Sequence, residues 1–532
     1  MRRAVLTTLC LGLGVQLVAT LAAHAEPDAP AAQVIVPPAH QPGGTIGDHF
    51  VGLSVEWSLI ERYMGPGARP AFTNLLSNLD GGVLRIGGSS QDVMPFSATA
   101  PNTNRVITPD DIAAIRATID GTHKPGATGW ATVLGTAMAP ATTTYPFRSP
   151  EHTRDFVEQG VRPGFAGAED DVAGIELGNE PDLSYKYDAD RYLGDFTRWR
   201  DAGGTTPYTT IVPATSNAIA SWQSIRDQTV ETRFFHDWRQ ILETTAPTQR
   251  ATAGPLGAWA ADHFYPLART CASDPYRCPS IPALLDPARR DNLDYITYQH
   301  AKLAAANGLG YRLEEVNTAA GRGAAGVSDV AASAVWALDT MFHVACPNPP
   351  DAPGSNADCR TGGVGVNFHN AEVRAFFYPE EGNGYYNAVR YDPTSAMGAP
   401  TAAPEYYAML LFARFAQGHD GLRPVQLDGD VSGWRVNSGP GQSRLFLINR
   451  GQGSTDVHLR APGARYLLDR MTPYDSTGAG RTLDAPEVRI DGRQVAADGT
   501  WPGFAPETGR VHQGRIDVHL GTGEAVVLNV MP

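Results

Sequence analysis

Two apolar segments of this sequence each end in glutamate and asparagine side chains. Residues 174–182 read Gly-Ile-Glu-Leu-Gly-Asn-Glu-Pro-Asp, with Pro181 directly after Asn179 and Glu180. Because proline fixes φ and lacks an N–H donor, a strand here ends before Pro181 and carries Glu180 at its carboxyl end. Residues 311–317, Tyr-Arg-Leu-Glu-Glu-Val-Asn, are predicted to form a second strand of this kind. Paired carboxylates that face each other across the mouth of a parallel barrel are the groups needed to break a glycosidic bond.

The second segment holds two adjacent glutamates, Glu314 and Glu315. Neighbouring side chains on a strand point to opposite faces, so only one of the two is expected to face the barrel interior. Glu315 shares its parity with Asn317, but spacing alone does not choose between the two glutamates. Both therefore stay open as candidates at this point.

Short apolar runs alternate with longer helical or irregular segments from residue 49 onward, the rhythm of repeated βα units. Such a pattern predicts a (β/α)₈ TIM barrel over residues 46–418. A helix capped by Ser328 and a last outer helix from Pro404 to a stop at Gly418 are also expected. The eight candidate strands are 50–56, 82–86, 130–134, 173–177, 210–213, 261–265, 310–316 and 363–368.

The remaining residues, 419–532, change to short strands broken by Gly, Asp and Pro, which predicts a C-terminal antiparallel β-sandwich. Residues 26–45 are expected to form a linker and an N-terminal strand, at 33–36, that joins this sandwich. The candidate strands of the sandwich are 433–437, 445–449, 456–459, 465–469, 488–490, 515–520 and 524–530.

The charge and the number of basic residues in the sequence bear on which classes of partner can bind. The chain of 532 residues has a formal net charge of −14 and three lysines, Lys124, Lys186 and Lys302. No run of basic residues appears, so nucleic acid is not expected as a partner and a densely sulfated polyanion is disfavoured. Length alone predicts two domains or one large barrel with an appendage.

Residues 1–25 have the pattern of a secretory signal. Arg2 and Arg3 precede an apolar stretch that ends in Ala-His-Ala, with cleavage expected after Ala25. No later apolar run is long enough to span a bilayer. We therefore expect a secreted or periplasmic protein without a membrane span.

Four cysteines remain after the signal, and an even number in an exported chain permits disulfides. Of the three connectivities, the local pairs Cys271–Cys278 and Cys346–Cys359 are predicted, because each closes a loop rich in Pro, Asp or Ser. The spacing suits a zinc site poorly and no histidines cluster nearby, so no metal is expected.

An ordered set of motifs is similar to glycoside hydrolase family 79, the β-glucuronidase and heparanase family among the retaining clan A barrel glycosidases. The likeness extends from the second candidate strand into the terminal sandwich. The motifs are Leu-Arg-Ile-Gly-Gly at 84–88, Glu-Leu-Gly-Asn-Glu-Pro-Asp at 176–182, His-Phe-Tyr at 263–265, Glu-Val-Asn at 315–317, Gly-Val-Ser-Asp at 326–329, Gly-Val-Asn-Phe-His at 365–369 and the segment 488–501.

The resemblance implies roles for the residues that match. Glu180 matches the family's acid/base and Glu315 its nucleophile, which chooses between Glu314 and Glu315. Asn179 matches the residue that hydrogen-bonds the sugar 2-hydroxyl, and Tyr265 matches a tyrosine that orients the nucleophile. Retention requires the two carboxyl groups to lie only about 5–5.5 Å apart.

The resemblance also implies a sugar subsite. Glu56, Ser89 and Asp92 match positions that line the subsite for the non-reducing sugar. Apart from the resemblance, Tyr385 and Tyr386 lie where the last strand meets its loop, and one of them, Tyr386, is expected to line the pocket. No organic cofactor or metal is implied.

One loop departs from the family pattern. Members that bind a uronic acid use a tyrosine and glycine N–H groups after the nucleophile, but Ala320 stands in place of that tyrosine. Arg322 is expected to grip the sugar carboxylate instead, together with the backbone amides of Gly321 and Gly323.

The sequence therefore predicts a secreted, retaining, exo-acting β-glucuronidase that hydrolyses a glucuronide or a glucuronic-acid-containing glycan. Basic clusters that would suit an endo-acting enzyme on sulfated chains are not evident. Two alternatives stay open: the same mechanism on another sugar or in a heparanase-like endo mode, and a non-catalytic carbohydrate-binding barrel.

Overall fold

The structure is a computed structural model that describes residues 34–35, 43–103, 105–216, 237–272, 275–349, 359–371, 383–392, 398–439, 442–477, 480 and 482–531. The predicted signal at 1–25 lies outside the described residues. Within the described ranges, no helix is both long and apolar enough to cross a bilayer.

Eight parallel strands close into a barrel, as the sequence predicts. All eight candidates are confirmed, with ends that move by a few residues. Strand β1 pairs with both β2 and β8, which closes the ring. The strands are β1 (Val51–Glu56), β2 (Gly81–Gly87), β3 (Gly129–Thr136), β4 (Val172–Leu177), β5 (Thr210–Ser216), β6 (Trp259–Phe264), β7 (Gly310–Val316) and β8 (Gly365–Asn370).

Helices lie between the strands and cover the barrel. Side-chain hydrogen bonds cap the first turns of several helices. At the start of the helix Pro109–Asp120, Thr108 and Asp111 form a reciprocal capping box. The α-helices are Ile60–Met64, Arg69–Asn78, Pro109–Asp120, Pro150–Phe156, Arg162–Gly164, Pro181–Ser184, Ala189–Asp201, Trp238–Ala251, Ile281–Leu284, Pro287–Ala306, Ala331–Ala345 and Pro404–Phe415, with a π-helical turn at Val157–Val161.

Two helix ends differ from the sequence prediction. The helix expected to be capped by Ser328 begins at Ala331, because the Ser328 hydroxyl accepts a hydrogen bond from the Ala324 N–H instead. The last outer helix begins at Pro404 as predicted and ends at Phe415, a little before the expected stop at Gly418.

The C-terminal residues, joined by the N-terminal strand Val34–Ile35, form two sheets that pack face to face. Buried side chains from both sheets, among them Leu445, Val457 and Leu528, fill the space between them. One sheet holds Arg423–Val425, Val431–Gly439, Gln442–Asn449, Ala525–Met531, Arg465–Tyr474, Glu487–Ile490 and Glu507–Arg510, and the other holds Val34–Ile35, Thr455–Arg460 and Arg515–Leu520.

The larger sheet also packs against the barrel. The Phe342 ring stacks on Trp434 at a centroid distance of 5.3 Å and meets Phe446 edge-on at 4.8 Å. Every residue of the helix Ala331–Ala345 is buried, because this helix lies between barrel and sheet. The resulting apolar interface fixes the sandwich to the side of the barrel.

Both predicted disulfides, Cys271–Cys278 and Cys346–Cys359, are confirmed. The first closes the loop after β6, where the short strand Leu267–Ala268 pairs with Ala319–Ala320 from the loop after β7. This pairing connects two loops at the carboxyl end of the barrel.

Candidate active site

A cavity of about 350 Å³ opens at the carboxyl ends of the barrel strands. That end is where parallel barrels place their functional groups. The lining residues are Glu56, Ser89, Glu180, Leu183, Ser216, His263, Tyr265, Arg277, Glu315, Ala320, Gly321, Arg322, His369, Ala371 and Tyr386.

Glu180 follows β4 in a tight turn. Its backbone is left-handed, with φ of 47°, and it precedes the short helix that begins at Pro181. Non-glycine residues seldom adopt this conformation, and it is concentrated at functional sites. The Glu180 N–H donates to the Ala214 carbonyl at 3.0 Å, which ties the turn to β5. The turn thus aims the Glu180 side chain into the cavity.

Glu315 projects from the end of β7 into the same cavity. Its Oε1 accepts a hydrogen bond from the Tyr265 hydroxyl at 2.5 Å, and its Oε2 accepts one from Arg85 Nη1 at 2.6 Å. Both carboxylate oxygens are therefore held by charged or hydroxyl donors, which fixes the side chain and favours its ionised form.

The expected alternation of Glu314 and Glu315 is wrong. On the neighbouring strand β6, Asp262 pairs with Leu313 of β7, and the next residue, His263, pairs with Glu315. Glu314 therefore has no partner in the β6 register and is the extra residue of a β-bulge. As a result, Glu314 interacts with Glu176 while Glu315 interacts with Arg85, and both carboxyl groups belong to one interior cluster. Glu315 reaches the cavity, whereas Glu314 is fully buried.

The structure brings Glu180 and Glu315 together. One carboxylate oxygen of each and a ring nitrogen of His263 all lie within 4.8 Å of one another. His263 Nδ1 is 3.1 Å from Glu180 Oε1 and 3.9 Å from Glu315 Oε2. Such a separation suits direct attack on a sugar carbon by one carboxylate, whereas insertion of a water requires about 6.5–9.5 Å.

These three side chains also have the donor atoms to hold a cation. Both oxygens of Glu315, however, already accept hydrogen bonds from Tyr265 and Arg85. The donor set fits an ion-paired carboxylate better than a metal ligand.

Electrostatics keep Glu315 ionised. Burial raises the pKa of Glu315, but His369, His263 and Arg85, together with the Tyr265 hydrogen bond, lower it well below its ordinary value. For His263, burial lowers the pKa, while the carboxylates of Glu315 and Glu180 raise it by more. Glu315 is therefore a carboxylate at neutral pH.

Arg85 is the centre of the hydrogen-bonding network and is absent from the predicted site. Fully buried on β2, it donates to both oxygens of Glu176, at 2.7 and 2.6 Å, and to Ser54 Oγ at 2.9 Å. It also donates to Glu315 and, at 2.9 Å, to Asn179 Oδ1. A charged residue in the middle of an apolar strand was the available signal, because a buried charge requires a partner.

His263 and Arg277 are further lining residues that the predicted site lacks. His263 shares the strand parity of Tyr265, so its position near the carboxylates could have been inferred. Arg277 comes from the disulfide-closed loop and its Nη1 donates to the Tyr265 carbonyl at 3.1 Å. No pattern in the sequence brings that loop to the cavity.

Of the expected sugar-binding side chains, Glu56, Ser89 and Tyr386 line the cavity. Ser90 N–H donates to Glu56 Oε2 at 2.7 Å. Asn179 is 4% exposed, and its contact with Arg85 fixes it beside Glu180.

Asp92, which is predicted to line the sugar subsite, is not among the residues that line the cavity. Asp92 is buried and accepts hydrogen bonds from the Tyr185 hydroxyl at 3.1 Å and from the Asn179 backbone N–H. Burial raises the pKa of Asp92 to about 7. This hydrogen bond with the Asn179 backbone supports the turn that carries Asn179 and Glu180.

The loop after β7 lines the cavity with Ala320, Gly321 and Arg322. Gly321, Arg322 and Gly323 are all left-handed, with φ of 81°, 74° and 79°. The expected role of the Gly323 amide is wrong, because this N–H donates to the Ala319 carbonyl at 3.0 Å. Arg322 and Gly321 therefore remain as this loop's candidates for binding a carboxylate.

Comparison with known proteins identifies the fold. No protein-family model and no curated protein matches the sequence. Among solved structures, the chain is similar to a 4-O-α-L-rhamnosyl-β-D-glucuronidase from Fusarium oxysporum 12S, with a TM-score of 0.63, 15% identity and coverage of 94% of this chain and 100% of the other. The chain is also similar to the GH51 arabinofuranosidase from Xanthomonas axonopodis pv. citri, with a TM-score of 0.58, 12% identity and coverage of 94% of this chain and 99% of the other.

A family 51 α-L-arabinofuranosidase from Bifidobacterium longum also matches, with a TM-score of 0.58 at 11% identity over 94% of this chain and 100% of that one. The protein thus has the fold of these glycosidases, a barrel with C-terminal antiparallel sheets. At such low identity the likeness shows the fold alone, and membership of family 79 stays a prediction.

Proposed function

We propose that the protein is a retaining β-glycosidase in which Glu315 is the nucleophile and Glu180 the acid/base. The observation that carries this proposal is the approach of their carboxylate oxygens to within 4.8 Å at the barrel mouth. Retaining glycosidases keep these groups about 5–5.5 Å apart. The ionised state of Glu315, held by Tyr265 and Arg85, supports its role as the nucleophile.

The reaction takes two displacements. Glu315 attacks the anomeric carbon while Glu180 gives its proton to the departing glycosidic oxygen, which leaves as an alcohol and yields a glycosyl ester on Glu315. Glu180, now ionised, removes a proton from water, whose oxygen attacks the same carbon and breaks the ester. His263 lies beside both carboxylates and stabilises the negative charge as it moves from one to the other.

We infer that the sugar is a terminal β-linked glucuronic acid. Support comes from Arg322, whose guanidinium can form a charge-assisted contact with a carboxylate, next to Gly321. A cavity of about 350 Å³ is at the small end of ligand sites, which favours release of one terminal sugar over binding of a long chain. The two disulfides suit a secreted or periplasmic protein.

A panel of aryl β-glycosides tests the sugar. We expect the highest kcat/KM on the glucuronide and much lower values on the glucoside, xyloside and galactoside. An aryl α-L-arabinofuranoside belongs in the panel because two proteins of similar fold are arabinofuranosidases, one of them an α-L-arabinofuranosidase. Preference for a sugar without a carboxylate would overturn the glucuronic acid assignment but leave the two-glutamate mechanism standing.

A mechanism-based covalent label tests the mechanism independently of rate. A fluorinated glycosyl fluoride should attach to Glu315, as peptide mass spectrometry would show, and Glu180→Gln should slow release of the label. A protein that binds the sugar but takes up no label would instead be a non-catalytic carbohydrate-binding barrel.

A further inference from the structure

Glu314 is a fully buried carboxyl group that the proposed mechanism does not use. Its Oε1 accepts a hydrogen bond from the Trp259 indole N–H at 3.0 Å. Among the described residues, no donor reaches its Oε2. A buried carboxylate oxygen without a donor is costly, whereas the same oxygen carrying a proton could itself donate.

The neighbour of Glu314 is another carboxyl group, Glu176 on β4. The two side chains are in hydrogen-bond contact. Two ionised carboxylates offer acceptors only, so this contact requires a proton on one of them. Arg85 donates to both oxygens of Glu176, at 2.7 and 2.6 Å, which identifies Glu176 as the ionised partner. The proton therefore belongs to Glu314.

The other charges around Glu314 agree with this placement. Burial and the negative charge of Glu176 raise the pKa of Glu314 to about 8, against smaller opposing effects of Arg85 and Trp259. Arg312, on the same strand, is another cation near Glu314. Its guanidinium contacts the Asn367 side chain at 2.6 Å and the backbone carbonyls of His49 and Phe50, at the opposite end of the barrel from the cavity.

We propose that Glu314 retains its proton at neutral pH and donates it in a hydrogen bond to Glu176, which makes it a positioning residue for Arg85 and, through Arg85, for Glu315. Glu176 grips two nitrogens of Arg85, and the same guanidinium reaches Glu315 and Asn179. The location of the proton is a property of the folded chain alone. The effect on catalysis rests on the proposed function.

Loss of the Glu314 proton would disturb the hydrogen bonds that Arg85 makes to Glu176 and Glu315. An ionised Glu314 would repel Glu176 and compete with Glu315 for the single guanidinium of Arg85. We therefore expect the site to loosen as the pH rises through the range in which Glu314 titrates, although Glu314 never touches the substrate.

Stability as a function of pH tests the location of the proton. A carboxyl group whose pKa is higher in the folded chain than in the unfolded chain stabilises the fold at low pH, and this stability is lost as the pH rises from about 5 to about 8. Glu314→Gln keeps a neutral donor and an acceptor for Trp259 and lacks this loss. Denaturant unfolding of both proteins at intervals from pH 5 to 9 measures the difference.

Two features of that comparison isolate Glu314. Glu243→Gln on the exposed face of a helix is the matched control and should unfold with the wild-type pH dependence. Other buried carboxyls, Asp92, Asp182 and Asp469, have pKa values raised to about 7, but they contribute equally to wild type and variant. Parallel curves for wild type and Glu314→Gln would overturn the inference. Failure of Glu314→Gln to fold would also overturn it, because glutamine supplies the same neutral hydrogen bonds.

Activity on the preferred aryl glycoside tests the positioning role. Glu314→Gln should stay within about threefold of wild type at pH 6, and the ratio of its kcat/KM to that of wild type should rise above about pH 8. Glu314→Leu has no donor and should lose activity that Glu314→Gln keeps. A ratio that is constant from pH 6 to 9 would overturn the positioning role and leave the location of the proton standing. If no glycoside is hydrolysed by wild type, the proposed function fails, while the unfolding curves still decide where the proton is.

Discussion

The strand-borne centre of this site and its loop-borne rim are built in different ways. In the centre, Arg85 on β2 donates to Glu176 on β4 and to Glu315 on β7 at 2.6 to 2.7 Å, and all three residues are buried. At the rim, Arg322 and Tyr386 lie on the connections that follow β7 and β8. The centre is therefore fixed by the register of the barrel, whereas the rim depends on loop conformation.

This difference separates two functional questions. Residues on strands hold the reacting groups in place, and residues on loops can change without disturbing them. We therefore expect substitutions in the centre to affect every substrate and the fold itself, and substitutions at the rim to affect the choice of sugar.

The largest effect is expected at Glu315. Glu315→Gln removes the nucleophile while keeping the size of the side chain, so kcat on every aryl glycoside should fall by roughly 10⁴-fold or more. Initial rates measure the loss, and circular dichroism confirms that the variant is folded. A variant with substantial activity would show that another group is the nucleophile.

The next effect is expected at Arg85. Arg85→Met leaves the buried Glu176 without its partner, which should cost about 3–5 kcal/mol in the free energy of unfolding as well as most of the activity. Denaturant unfolding measures this loss. The double variant Arg85→Met/Glu176→Gln should recover stability but remain inactive, because Glu315 still lacks its cation. Additive losses in stability would contradict this ion pair as the cause.

Tyr265 is expected to have an intermediate effect. Tyr265→Phe removes one hydrogen bond to the Glu315 carboxylate, worth about 1.5–3 kcal/mol, or about 10–160-fold in kcat/KM. The loss should be similar for all sugars in the panel, as expected for a residue of the centre. A loss confined to the glucuronide would show that Tyr265 determines the choice of sugar, as expected of a rim residue and not of the centre.

Arg322 should have the smallest and most selective effect. Arg322→Gln should lower kcat/KM on the aryl glucuronide by about tenfold, the value of one charge-assisted contact, and change the rate on the glucoside little. Arg277→Gln is the matched control, because Arg277 lines the same cavity from another loop. Equal losses on both sugars for Arg322→Gln would show that this arginine does not read the carboxylate.

The sequence predicts the centre better than its details. The barrel strands can be predicted from the sequence because each is a short apolar run. Pro181 likewise predicts that Glu180 lies at a strand end. The bulge at Glu314 cannot be predicted from the local sequence, because it arises from pairing with Asp262 and His263 on another strand. The partners of Arg85 likewise come from distant strands, so its charge signals that a partner exists without identifying it.

The rim is harder to predict. Asp92 and Gly323 were expected to contact the sugar, but one supports the Asn179 turn and the other closes its own loop with Ala319. Arg277 reaches the cavity through a disulfide-closed loop whose path depends on the pairing of Leu267–Ala268 with Ala319–Ala320. Loop conformations of this kind are set by tertiary contacts, which local patterns do not encode.

The stereochemistry of hydrolysis tests the central claim most directly. Carboxylate oxygens that lie within 4.8 Å of each other leave no room for a water between a base and the sugar. Proton NMR of the aryl β-glucuronide reaction, recorded before the product mutarotates, should therefore show the β-anomer of the free sugar as the first product. First release of the α-anomer would contradict double displacement through Glu315.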